Sequence, residues 1–387
     1  MKYIRRLAAL KIGELSANFP LIYLTGPRQN GKSVFLKSPF FNKFEYISLE
    51  EIHARKFAFK DPRGFLNNFK SNVIIDDAHS APSLIPYIKE RFDSKKPPVK
   101  YILSGCLNPK LSKSISRYFS GRAVKIILLP FSSAELERAG RLPKTANEWM
   151  FMGNYPELFS STMNTQFFFH RYTTTVLEQD IKPLLKMRNF DKFIHFLTII
   201  AANSCSPVNL SQIGEETYMD ARTVNSWISI LEEKFILFRL TPYHGFAGKR
   251  YTKTPKLYFY DTGFLCFLLG INNSEDLNFH PMRGQIFETA VVSEIAKKYF
   301  NAGYKPRMNY WRDLDNSEKE IDLVEESGLS LKLTEIRLSQ TPNEEYAKNL
   351  MEISPSNIET SSQVIYDGSE DLVFENIRYT NWKSLSL

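Results

Sequence analysis

Residues 21–36 read LIYLTGPRQNGKSVFL. The apolar run at 21–24 is patterned as a buried parallel strand. It leads into Gly26-Pro27-Arg28-Gln29-Asn30-Gly31-Lys32-Ser33, which has the spacing G-x-x-x-x-G-K-[ST] of a phosphate-binding loop, or P-loop. The chemistry accounts for the spacing. Gly26 and Gly31 let the backbone curl so that successive N–H groups face phosphate oxygens. Lys32 sets a point charge against the β- and γ-phosphates, and Ser33 offers a hydroxyl to Mg2+. From Val34 onward a helix is expected, whose positive end adds to anion binding. Residues 26–34 are therefore expected to hold ATP, with Mg2+ at Ser33.

Such a loop needs a second acidic element. Residues 72–79, NVIIDDAH, form a short apolar strand ending in two carboxylates, which resembles a Walker B segment. In that reading Asp76 holds Mg2+ and Asp77 orients the attacking water. The alternative is that the paired aspartates cap a following helix. Asp77 is one methylene shorter than the glutamate usual at this place, which argues for slow or absent hydrolysis. Residues 100–106, KYILSGC, end in a small polar residue, and Ser104 is the candidate sensor of the γ-phosphate. Arg122 precedes another apolar strand at 124–129. It is either an arginine finger for its own or a neighbouring subunit or an ordinary surface arginine.

Composition bounds the rest. A chain of 387 residues with 43% hydrophobic and 24% charged residues has the length of two or three domains and is neither disordered nor fibrous. The net charge of +8 permits a polyanionic partner but equally suits an ordinary basic protein. Three widely spaced cysteines, with no CxxC pair, support neither a disulfide framework nor a structural zinc site. The opening MKYIRRLAALKIGEL is interrupted by Lys11 and Glu14 and is a poor targeting signal. No stretch approaches the roughly 20 apolar residues of a membrane span. A cytoplasmic protein with no membrane partner is expected.

The segments GPRQNGKS, VIIDDAH, YILSGC, SGRAVKIILLPFS and FMGNYPEL occur in that order. LEQDI, SQIGEETYMDARTVNSWISILEEKFILFRL, KTPKLYFYDTGFLCFLLGI and GQIFETAVVSEI follow. Together they resemble the prokaryotic AAA-type ATPases that carry a C-terminal domain of unassigned function, over about residues 21–339. The resemblance implies an α/β protein. Its parts would be a P-loop NTPase parallel sheet (1–135), a connector and helical lid (136–188), a winged-helix-like domain (189–270) and a restriction-endonuclease-like α/β domain (280–387). Three positions depart from the pattern: Asp77 stands for Glu, His79 for Gln, and Gln179 for the Arg usual in LEQDI. These bear on turnover more than on nucleotide binding.

Along the chain, residues 135–148 read as a connector, and 167–181 as an aromatic helix suited to cover a nucleotide. Residues 210–213, a turn, and 221–231 look like a helix-turn-helix, with 235–240 as a wing strand. Arg222, Thr223, Asn225 and Ser226 have the chemistry of major-groove readers. Glu215, Glu216 and Asp220 beside them favour the alternative, a packing module. The stretch 243–256, with Lys249, Arg250, Lys253 and Lys256, is the densest in basic residues and the better candidate for a DNA backbone. Residues 272–279 read as a linker, and 371–377 as one late strand.

Glu288, Asp322 and Glu335-x-Arg337 resemble the nuclease order Glu…Asp…Glu-x-Lys. There Asp322 and Glu335 would bind Mg2+ while a lysine positions the water. A guanidinium stays protonated and cannot act as the base, so an inactive nuclease-like module is expected. The alternative is an acidic ladder on an exposed strand. The leading reading is an Mg2+-dependent ATPase that drives or gates a conformational change. An ATP-sensing switch with little turnover and an ATP-controlled nuclease are the alternatives. Double-stranded DNA, a protein partner and self-association are the open partner classes.

Overall fold

The computed structural model describes residues 3–94, 99–160, 163–185, 190–246, 252–316, 319–353 and 358–386. They form two units, one of residues up to Phe131 with Lys298–Lys305, the other of Ser132–Lys297 with Pro306 onward. In the first unit five strands, β1 (Leu21–Thr25), β2 (Phe44–Ser48), β3 (Asn72–Asp76), β4 (Tyr101–Ser104) and β5 (Ala123–Ile127), lie parallel in the order β2-β3-β4-β1-β5. Alternate residues feed two cores. Leu21, Tyr23, Val73, Ile75 and Leu103 face one side, while Ile22, Leu24, Ile74 and Ile102 face the other. Helices cover both faces, which is why these strands read as continuous apolar runs. Parallel pairing also brings the C-terminal ends of β1, β3 and β4 to one edge.

The second unit corrects the connector reading. Residues 135–148 contribute to two helices, Ser133–Arg138 and Ala146–Met152, each opened by a capping box, Ser132 with Glu135 and Thr145 with Glu148. The helix Thr165–Arg171 continues through a wider turn at Tyr172–Leu177 into Glu178–Leu185. There Thr173, Thr174 and Thr175 each donate a hydroxyl to the carbonyl four residues back, a bond that competes with the helical ladder. Its aromatic side chains pack within this unit, Phe168 and Tyr172 against Tyr155, and Phe169 against Phe264. Residues 272–279 are not a loose linker either: Leu277 is fully buried, and Asn147 donates to Asn278 at 2.9 Å.

Eight strands make the second sheet: β6 (Leu237–Pro242), β7 (Lys256–Phe259), β8 (Met308–Arg312), β9 (Glu320–Ser327), β10 (Ser330–Arg337), β11 (Glu359–Tyr366), β12 (Leu372–Phe374) and β13 (Ile377–Asn381). Their order is β12-β13-β11-β10-β9-β8-β6-β7. The helices Leu210–Thr217 and Ala221–Glu233 precede the antiparallel pair β6–β7. That pair is not a free wing, because Thr241 and Pro242 of β6 continue parallel to Asn309 and Tyr310 of β8. The late strand is two, β12 and β13, turned at Glu375 and Asn376, both with positive φ. That is the backbone of a tight hairpin, here without glycine.

The segments FMGNYPEL and KLYFYDTGFL meet at one point. Asp261 Oδ2 accepts from the Asn154 N–H at 2.7 Å, and Oδ1 caps the helix Thr262–Leu268 through Phe264 N–H at 3.0 Å. Gly153 (φ 70°) and Gly263 let the two backbones touch: a Cβ on Gly263 would stand 2.7 Å from the Gly153 Cα. These motif residues hold the unit together.

Candidate functional site

The loop after β1 is anchored from below. Gly26 has no room for a side chain, since a Cβ there would lie 2.0 Å from the Leu128 carbonyl oxygen. Gly31 has φ 83° at the start of the helix Lys32–Leu36, a conformation that favours glycine. Asn30 is fully buried and donates its amide to the same Leu128 carbonyl. Arg6 is also buried; it donates to the Asn30 carbonyl at 3.0 Å and to Leu129, its guanidinium 4.9 Å from the Phe131 ring centroid. Lys32 folds over the loop, donating to Pro27 O at 2.6 Å, Gly26 O at 3.2 Å and Asn30 Oδ1 at 2.9 Å. Burial lowers its pKa, against the pull of Asp76 and Asp77. Arg28, Gln29, Ser33 and Val34 are exposed at the mouth.

Asp76 ends β3 and is buried. Its carboxylate accepts from Tyr46 Oη at 2.7 Å, from the Ser104 hydroxyl and from the Asp77 N–H at 3.1 Å. Burial works against the charged form, but these bonds outweigh it, so the pKa stays below the usual range. Asp77 has φ 54° and ψ 33° and turns its carboxylate toward Ser48 Oγ at 3.5 Å and His79 Nδ1 at 3.8 Å. Its pKa is raised by burial first and then by Asp76 and Glu50. His79 fits because residue 105 is glycine: a Cβ there would stand 2.6 Å from His79 Nδ1.

The first unit therefore brings Lys32, Ser33, Asp76, Asp77 and Ser104 to one edge. Arg122 is not among them. β5 begins at Ala123 opposite Leu21, so Arg122 lies at the far edge of the sheet, about five residues and ~16 Å from the loop. It is more than half exposed and pairs with Asp93 at 3.7 Å, so it is not a finger for its own site. Sequence reasoning missed Arg6, Tyr46 and Ser48, none of which lies in a motif.

In the second unit Glu288 (helix Arg283–Asn301), Asp322 (β9), Glu335 and Arg337 (β10) converge. Arg337 pairs with Glu335 and stands 3.6 Å from Asp322, which accepts the Ile336 N–H at 2.8 Å. Glu288 accepts from Tyr258 Oη at 2.5 Å. Its pKa is pushed up to about 7, first by burial and then by Asp322 among its acidic neighbours. A residue read from sequence as surface charge also belongs here: Lys256 is buried, paired with Glu320 and 3.4 Å from Glu288. It cannot meet a DNA backbone. Lys253 is exposed, whereas Lys249 and Arg250 lie outside the described residues. Of the groove-reader candidates, Arg222 and Ser226 are exposed. The Thr223 hydroxyl donates to Asp220 at 2.7 Å, and Asn225 accepts from Arg239 at 2.8 Å.

Among the described residues no helix is long and apolar enough to cross a membrane. Residues 18–137 match an AAA domain, residues 143–275 a domain of unknown function (DUF8612), and residues 283–385 a second one (DUF4143). Uncharacterized proteins of Mycobacterium bovis and Mycobacterium tuberculosis are each 27% identical to this chain over 353 residues, 88% of its length and 75% of theirs. Among solved structures, the Walker-type ATPase of Pyrococcus abyssi is similar at a TM-score of 0.46 and 16% identity, covering 69% of this chain and 98% of that one. The RuvB Holliday junction branch migration motor of Thermotoga maritima gives 0.29 and 17%, covering 60% and 87%. Residues 18–137 of this chain are thus an AAA-type domain carrying the P-loop, and residues 283–385 a C-terminal domain of unknown function.

Proposed function

We propose that the first unit binds Mg-ATP on residues 26–34 and hydrolyses it slowly to ADP and phosphate. One observation carries this reading: the buried Asp76 carboxylate, held by Tyr46 and Ser104, stands at the same edge of the sheet as the loop that carries Lys32 and Ser33. Ser33 and Asp76 have the oxygen donors that Mg2+ prefers, and a bound Mg2+ supplies neutralisation of the phosphate charge. Lys32 exchanges the loop carbonyls for phosphate oxygens. Ser104 and Tyr46 hold Asp76 in place. Asp77 orients the water, its short side chain keeping turnover low. The DNA reading draws little from the helix Ala221–Glu233, where Thr223 and Asn225 are already bonded.

The test is an equilibrium titration of ATP into the wild-type protein and Asp76→Asn, with Mg2+ and with excess chelator. The wild type is expected to bind ATP and to lose affinity on chelation. In Asp76→Asn the gain from Mg2+ shrinks about 10–100-fold, the range for removing a group that holds a bound metal's surroundings. Equal Mg2+ dependence in both proteins would remove Asp76 from the site, and no ATP binding at all would end the proposal.

A further inference from the structure

The nuclease-like order of residues implies a divalent metal held by Asp322 and Glu335. The residues present do not fit one. Among the described residues no group of three or more carboxylate, histidine or cysteine side chains is arranged to hold a metal ion. Arg337 takes one oxygen of Glu335 and stands beside Asp322. The remaining space is entered by a lysine from a strand more than sixty residues upstream.

We infer that the Lys256 ammonium, paired with Glu288 and Glu320, is the resident cation of the largely buried cluster that these acids form with Asp322 and Glu335, standing in the place of a divalent metal. The cluster becomes a metal site only when this lysine is withdrawn.

Geometry supports the inference from three directions. Lys256 rises from β7 with its side chain 4% exposed, pairs with Glu320, stands 3.4 Å from Glu288 and lies 5.1 Å from the Tyr310 ring centroid. An ammonium so buried is tolerated only where carboxylates surround it. Four acids in the cluster, Glu288, Glu320, Asp322 and Glu335, face three cations, Lys256, Arg312 and Arg337. The acids are thus nearly balanced with no metal present. Finally, Glu335 Oε2 is buried without a hydrogen-bond partner, an oxygen left to complete a metal's ligands once the lysine is withdrawn. Burial opposes the charge on Lys256, but Glu288, Glu320 and Asp322 more than offset it, so the ammonium keeps its proton. It is a counter-ion and not a base for water. The same pairs tie β7 to the helix Arg283–Asn301 and to β9, joining the hairpin to the sheet.

The experiment uses the full chain without nucleotide, titrated with Mn2+ and read by the electron paramagnetic resonance signal of free Mn2+. Four proteins are compared: wild type, Glu335→Gln, Lys256→Gln, and Lys256→Gln with Glu335→Gln. Lys256→Gln is expected to take up one Mn2+ roughly tenfold or more tighter than any site in the wild type. Adding Glu335→Gln should abolish that uptake. The inference fails if the wild type takes up an Mn2+ that Glu335→Gln removes, or if folded Lys256→Gln takes up none. Should Lys256→Gln not fold, Lys256→Met takes its place with the same expected uptake, and a loss of uptake from wild type to Glu335→Gln still overturns the inference.

Discussion

Lys32→Ala is expected to lose ATP binding by a factor on the order of 100 or more, the scale of removing one preorganised donor from a charged ligand. The ammonium is buried and aimed along the inside of the loop, where it meets Pro27 O, Gly26 O and Asn30 Oδ1. A charge in so dry a place acts on a phosphate far more strongly than one in water. The loop itself should survive, because its anchors are the Asn30–Leu128 and Arg6–Asn30 bonds. The expected result is a folded protein with an unchanged melting temperature and no measurable ATP binding at concentrations that saturate the wild type. Lys32→Arg should not restore it, since a forked guanidinium needs more room than a single ammonium. Retained affinity in Lys32→Ala would mean that the nucleotide sits elsewhere.

Glu294→Ala is expected to cost the second unit about 3–5 kcal/mol, the scale of breaking a buried ion pair from one side. The Glu294 carboxylate accepts from the Ser133 N–H at 2.7 Å, from Asn154 at 3.1 Å and from Lys297 Nζ at 2.7 Å. Both charged side chains are almost fully buried, at 2% and 4% exposure. Removing the glutamate strands Lys297 without its hydrogen-bonded counter-ion and leaves the Ser133 N–H unmatched at a helix start. In calorimetry this should appear as a fall in melting temperature of roughly 10 °C for a unit of this size. A shift below about 2 °C would show that the network relaxes or takes up water.

The strands β1, β3 and β4 were legible because both faces of a parallel sheet are covered and the loop spacing is dictated by phosphate geometry. Lys32, Ser33 and Asp76 followed from the same patterns. What was not legible depends on tertiary neighbours. Tyr46 and Ser48 touch the aspartates only because β2 lies beside β3. Arg6 supports Asn30 across 24 residues, a partnership that nothing in the basic opening of the sequence signals. Arg122 read equally as a finger or a surface arginine, and only the parallel register places it at the opposite end of β5 from the loop. Lys256 counted as surface charge because a basic run says nothing about which member turns inward. The capping boxes at Ser132 and Thr145 were readable, but Gly140 and Pro143 drew the region toward a connector. The hairpin at Glu375–Asn376 carries no glycine, so the usual turn signal was absent.

The central claim is that this chain turns over Mg-ATP with Asp77 as the group that orients water. Steady-state phosphate release by the wild type and by Asp77→Ala, both saturated with Mg-ATP, tests it most directly. Slow release by the wild type should fall on the order of 100-fold in the variant, the scale of losing a group that directs a proton, while ATP binding is retained. Equal release by the two proteins would contradict the account.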